Sequence, residues 1–268
     1  MRRPPASAHQ RTLPLRRRLK KTGVAALSLI APLLYRAYMA LVCATSRIDL
    51  SGLEPLFASR STGSSAILAL LHQDVFAGPY LIRNRRIITF VSISDAGTIV
   101  ASLLERLGFC VERGGTSSRM SRLVPVFSRL VARCREHTRH GGAIVVFACD
   151  GSRGPAGAVQ PGVALFAMKT GARIYCAKLD ARPAMFLRTW DRTLIPLPFS
   201  RIRVHVDGPI EVPGGRKRED LDGLRLRIEK SLHELHARAF GGRRPIPKLI
   251  GLGEAGRPAR AGRIPARS

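Results

Sequence analysis

The chain has 268 residues, is 45% hydrophobic and carries a formal net charge of +27; this is enough apolar material for one sizeable α/β core, or a core plus tails. Its basic excess attracts polyanions, whether nucleic acid, anionic lipid surfaces or phosphorylated substrates. The five cysteines (Cys43, Cys110, Cys134, Cys149, Cys176) are odd in number and scattered, without CxxC spacing, which argues against a zinc module or a disulfide framework and favours a reducing compartment.

The charge is concentrated at the ends. Residues 1–21 hold eight Arg or Lys and no acid, and 241–268 hold seven against the single Glu254. Arg outnumbers Lys 38 to 7, a skew that genomic base composition also produces, so the tails alone do not specify a ligand. Residues 1–21, rich in Pro and Arg, read as a disordered tail. An apolar run from Gly23 to Tyr35 follows, interrupted by Arg36 and resumed over Ala37–Ala44. A spanning helix needs about 20 apolar residues without a central charge. Residues 22–46 therefore predict a monotopic or shallowly inserted helix with Arg36 snorkelling to the interface, a single span being the alternative. The RRRLKK stretch at 16–21 would face anionic headgroups on the cytoplasmic side. A signal peptide fits the long basic region poorly, and Val42 before Cys43 is not the small residue of a lipoprotein cleavage site.

Residues 47–240 alternate between two patterns. Short apolar runs at 66–71, 87–93, 109–112, 143–149, 174–179 and 202–206 read as strands, several buried on both faces. Helical periodicity occupies 96–107, 119–137, 160–170 and 220–240, with glycine stops at Gly108, Gly171 and Gly241. This order predicts an α/β fold with a mostly parallel central sheet flanked by helices. Residues 241–268 form a second basic, Gly/Pro/Arg-rich tail.

Ligands of open α/β sheets bind beyond the carboxyl ends of the strands, so the residues there carry the chemistry. His72-Gln73-Asp74 follows the first run, and Ser94-Asp95-Ala96-Gly97 the second. Arg113-Gly114-Gly115-Thr116 follows the third, and Asp150-Gly151-Ser152-Arg153-Gly154 the fourth. A neutral histidine at a strand end can take a proton from a hydroxyl while a carboxylate fixes its tautomer. Arg113 and Arg153, each in a Gly/Ser loop, can hold a phosphate together with backbone N–H groups. Any one of these taken singly is an ordinary structural residue; their convergence at one rim points to a site. No P-loop, dinucleotide fingerprint or nucleophile elbow occurs at a strand end, which removes the NTPase, dinucleotide and serine-hydrolase classes. The ordinary metal motifs are also absent.

At these residues the chain resembles the glycerolipid and lysophospholipid acyltransferase superfamily, and most closely a bacterial branch long catalogued as a domain of unknown function. The similarity covers roughly 45–215, through ILALLHQD (67–74), the SxSDAG segment (92–97), LLERLGFCVERGGTSS (103–118), ACDGSRGPAGAVQPGV (148–163) and TWDRTLIPLPFSRIRV (189–204). It implies a glycerol-3-phosphate acyltransferase-like fold. The family's histidine falls on His72 and its phosphate-binding arginine on Arg113. Its acid-Gly-Thr/Ser-Arg block falls on Asp150-Gly151-Ser152-Arg153. The superfamily's aspartate five residues after the histidine is replaced by Ala77, which leaves Asp95 and Asp74 as partners for His72. Asp95 is preferred because a neighbouring parallel strand lies only about 5 Å away, and because the branch tends to carry an aspartate there.

The resemblance implies an enzyme without a bound cofactor. Acyl-CoA or acyl carrier protein would donate the acyl group to a hydroxyl of a phosphate-bearing membrane lipid, at the cytoplasmic face of a bacterial inner membrane. A lysophospholipid-type acceptor is the default, and a lipid A precursor is the alternative within the class. The alternative from another class is a non-enzymatic basic protein that binds nucleic acid or membranes. Only 6% of residues are aromatic and no basic stripe is interleaved with stacking rings, which argues against nucleic acid.

Overall fold

The structure is a computed structural model that describes residues 15–114, 120–139, 141–214 and 217–241. Among them, seven strands form one sheet: β1 (Arg47–Asp49), β2 (Ala66–Leu70), β3 (Ile88–Ser92), β4 (Cys110–Gly114), β5 (Ile144–Ala148), β6 (Arg173–Phe186) and β7 (Leu194–Ile210). The spatial order is β1-β7-β6-β2-β5-β3-β4. Only the β6–β7 pair is antiparallel, so the expected mostly parallel sheet is present. The helices are α1 (Leu15–Thr45), α2 (Glu54–Ser61), α3 (Gly78–Leu81), α4 (Asp95–Arg106), α5 (Met120–Arg139), α6 (Pro161–Thr170) and α7 (Arg218–Phe240).

Every residue of β2 is buried, as expected of a strand with helices over both faces. Leu68 belongs to a core shared with α1 and α2, while Ile67 and Ala69 belong to the opposite core beneath α5, α6 and α7. This alternation follows from the two-residue period of a strand. β6 and β7 are far longer than the runs at 174–179 and 202–206 that signalled them. Pro183, Pro196 and Pro198 interrupt the apolar alternation in the sequence, and a register shift at Arg182/Ala184 accommodates the break in the ladder. β6 pairs with β2 only over Arg173–Cys176. The rest of the β6–β7 hairpin therefore overhangs the carboxyl edge of β2, by about 30 Å of strand at about 3.3 Å per residue.

α1 starts at Leu15, inside the segment expected to be a disordered tail, because Leu, Arg and Lys continue a helix readily. Residues 1–14 and 242–268 of the two basic tails lie outside the described residues. One face of α1 packs on the domain through Pro32, Tyr35, Met39 and Val42. Ser102 Oγ on α4 donates to Ser28 O at 3.0 Å, and Tyr35 Oη donates to Phe76 O at 2.6 Å. The other face leaves Leu27, Leu29, Ile30, Leu33, Leu34 and Leu41 exposed. Ala26–Thr45 is long and apolar enough to cross a membrane.

Candidate active site

β2 ends at Leu70, and the chain turns through a single 3-10 turn, His72–Asp74. β5, its neighbour in the sheet, ends at Ala148. Two residues beyond each end, the two strands present His72 and Asp150 to each other. His72 Nδ1 lies 2.8 Å from Asp150 Oδ1, and the His72 backbone N–H donates to the same oxygen at 2.9 Å. Asp150 Oδ2 accepts from the Gly157 N–H at 3.3 Å. Asp150 is 1% exposed, so this carboxylate is held by three N–H groups away from water. A proton on Nδ1 shared with the carboxylate leaves the acceptor lone pair on Nε2, the arrangement a general base requires.

The structure pairs His72 with a different carboxylate from the one expected. The preference for Asp95 assumed that β3 is the neighbour of β2, but β5 lies between them. Asp95 opens α4 beyond the end of β3, after the Ser94 N-cap. Asp74 turns into the core instead. Its carboxylate pairs with Lys178 Nζ on β6 and accepts from the Leu179 N–H at 3.3 Å. Asp74 and Lys178 are 3% and 1% exposed. Burial pushes the Asp74 carboxyl above its ordinary range, and the adjacent ammonium opposes that shift. Lys178 Nζ also donates to Gln73 Oε1 at 2.9 Å. Both residues following His72 are thus pinned by one lysine from the strand on the other side.

The remaining residues expected at the site divide. Arg113, on β4, donates to Gly97 O at 2.9 Å and to Thr98 Oγ1 at 3.0 Å on α4. β4 is three strands from β2, about 14 Å across the sheet at about 4.8 Å per spacing. Gly114 has a packing reason to be glycine: a Cβ there would lie 2.5 Å from Val126 Cγ1 on α5. The loop 115–119 that completes this region lies outside the described residues. Gly151, Ser152 and Arg153 follow Asp150 directly, with Ser152 and Arg153 exposed. The resemblance sets Asp150 in the same block as these candidate substrate-binding residues; the structure turns its carboxylate inward onto His72.

Trp190, the sole tryptophan, lies outside the strand-end residues to which the sequence points, yet it reaches the site. The turn between β6 and β7 places its indole 5.3 Å from the His72 ring, centroid to centroid. A Cβ on Gly154 would lie 2.9 Å from Trp190 Cε3, and Gly154 has φ 70°, so both space and backbone favour glycine there. Buried Asp191 braces the turn, accepting from the Thr189 hydroxyl and from Thr193 Oγ1. A lone tryptophan between turn-forming residues was the available sequence signal.

Two further features bear on the chemistry. A small apolar cavity of about 30 Å³ lies beside Asp74 and is lined by Leu53, Leu68, Leu70, Gly78, Leu81 and Leu179 among others. Cys149 precedes Asp150 but faces the core, where burial pushes its thiol well up; Cys176 is pushed up to about 12. Such thiols are poor nucleophiles. Among the described residues, no group of His, Cys, Asp or Glu side chains is placed to hold a metal ion.

No family model matches the chain. In sequence it is similar to an uncharacterized protein of Rickettsia prowazekii (strain Madrid E), 23% identical over 170 residues, covering 63% of this chain and 72% of that protein. In structure it is similar to the 1-acyl-sn-glycerophosphate acyltransferase PlsC of Thermotoga maritima, with a TM-score of 0.42 and 14% identity, over 84% of this chain and 85% of that one.

Proposed function

We propose that the protein is a membrane-associated O-acyltransferase in which His72 is the general base. The observation that carries this reading is the His72–Asp150 pair at the carboxyl edge of a parallel sheet. His72 Nε2 takes the proton of an acceptor hydroxyl as its oxygen attacks the carbonyl carbon of an acyl thioester of CoA or acyl carrier protein. The tetrahedral intermediate collapses, the C–S bond breaks, and the thiolate leaves with the proton carried by the imidazolium. Asp150 fixes the tautomer and stabilises the transient cation. The poor nucleophilicity of the nearby buried thiols agrees with direct transfer, without an acyl-enzyme.

The acceptor is a phosphate-bearing lipid, of lysophospholipid type. Arg153, in the loop that leaves Asp150, and Arg113, at the far end of the rim, bind its phosphate, so that binding energy orients the hydroxyl at Nε2. α1 lies on the cytoplasmic surface of the inner membrane with its exposed leucine face in the lipid. The packed opposite face supports lying on the membrane over crossing it. The Tyr35–Phe76 hydrogen bond brings that helix within four residues of His72 in sequence.

Membranes carrying the wild type or His72→Ala, supplied with labelled acyl-CoA or acyl carrier protein and candidate acceptors, test the reading. Loss of transfer in His72→Ala with protein level unchanged supports it, and retained transfer removes it. Lipid profiling of a strain lacking the protein names the acceptor.

A further inference from the structure

We propose that Phe199 is a second membrane anchor, separate from α1, which inserts its ring into an anionic bilayer and ties the β6–β7 hairpin to the lipid surface. The proposal rests on the membrane reading given above and extends it to a surface that the helix does not supply.

Phe199 is 77% exposed, the highest value among the exposed large hydrophobic side chains of the described residues. Its φ is 64°, a left-handed conformation that suits glycine or asparagine and is disfavoured for a bulky side chain. The surrounding hydrogen bonds enforce it. The Phe199 N–H donates to Thr45 Oγ1 at 3.1 Å, and the Ser200 N–H donates to Ser46 Oγ at 2.9 Å. Ser200 Oγ in turn donates to Pro183 O at 2.6 Å. A strained backbone that presents an aromatic ring to solvent serves no packing purpose, and strain of this kind collects where a surface has work to do.

The position identifies the partner. Thr45 ends α1, so Phe199 lies just past the carboxyl end of the helix whose outer face exposes Leu33, Leu34 and Leu41. Arg47 and Arg201 are paired across β1 and β7, and both are exposed. An exposed apolar ring with exposed arginines two residues along the same strand pair matches an anionic bilayer, with the ring among the acyl chains and the charges among the headgroups.

The topology places this anchor on the same edge of the sheet as the site. β1 runs parallel to β7, β7 antiparallel to β6, and β6 parallel to β2. Arg47 therefore starts β1 on the edge where β2 ends and His72 follows. A helix lying in a membrane fixes one line of contact. A second contact on the strand pair that carries Trp190 also sets the pitch of the hairpin, and so the way the rim around His72 faces the lipid.

The test uses the full chain, with vesicles of equimolar phosphatidylcholine and phosphatidylglycerol. In F199W, the emission added to that of Trp190 is expected to shift to the blue on vesicle addition and to be quenched by lipids brominated on their acyl chains. Phe199→Asn, which the left-handed backbone accepts, is expected to leave Tm unlowered while vesicle affinity falls about tenfold, the order expected for losing one buried ring. If the wild type sediments with vesicles but the F199W emission is unquenched, or if Phe199→Asn binds as the wild type does, the anchor is overturned and the membrane reading stands. If the wild type does not sediment with vesicles, both fall.

Discussion

His72 Nδ1 and Asp150 Oδ1 are 2.8 Å apart, joined across two adjacent parallel strands rather than within one turn of chain. The same carboxylate oxygen also takes the His72 backbone N–H, so a change at Asp150 disturbs both the ring's tautomer and the turn that carries it. Asp150→Asn is expected to lower kcat for acyl transfer on the order of 10³- to 10⁴-fold, as when the aspartate of a histidine-based triad is replaced. Asp95→Asn is expected to stay within a few-fold of the wild type. Steady-state transfer assays on both variants check this, with circular dichroism to confirm folding.

The Asp74–Lys178 pair holds the turn from the opposite strand. Lys178→Met leaves a buried carboxylate unpaired and is expected to cost about 3–5 kcal/mol of stability at neutral pH. Without the ammonium, burial raises the folded-state pKa of Asp74 above its unfolded value of about 3.9. The deficit is therefore absent below the unfolded value, grows as pH rises toward the folded one, and is complete above it. Urea unfolding of both proteins across the acid range measures it. Adding Asp74→Leu to Lys178→Met should recover part of the loss, since a buried pair can be replaced by apolar side chains at little cost.

The Trp190 indole lies 5.3 Å from the His72 ring and against Gly154, and in the proposed mechanism it screens the base from water. Trp190→Ala is expected to raise thioester hydrolysis relative to acyl transfer by about tenfold, through easier entry of water as the competing nucleophile. Gly154→Ala should move the ratio the same way, because its Cβ would displace the indole. Parallel measurement of free fatty acid and acylated lipid gives the ratio for each variant.

Of the central strands, β2 and β5 were legible because they are short apolar runs, and burial on two faces leaves that mark in any order of strands; β3 and β4 open on apolar residues and are set off by the helical periodicity that follows each. The strand-end rule brought His72, Asp95, Arg113 and Asp150 to one rim for the same reason. The 174–179 run marked β6 and contained Lys178, but nothing in it signalled a pair with Asp74. That pairing depends on β6 being the second neighbour of β2.

The sequence by itself determined the α/β architecture, the apolar first helix and the set of polar residues at the sheet's carboxyl edge, because burial, periodicity and turn chemistry are local properties of the chain. The tertiary structure alone decided which of those residues meet. β3 and β5 are both parallel to the strands they join, and periodicity is the same whichever of them lies beside β2. Once β5 occupies that place, Asp150 is within hydrogen-bonding distance of His72, Asp95 is a strand further away, and Trp190 reaches the histidine from a hairpin that only the pairing of β6 with β7 creates.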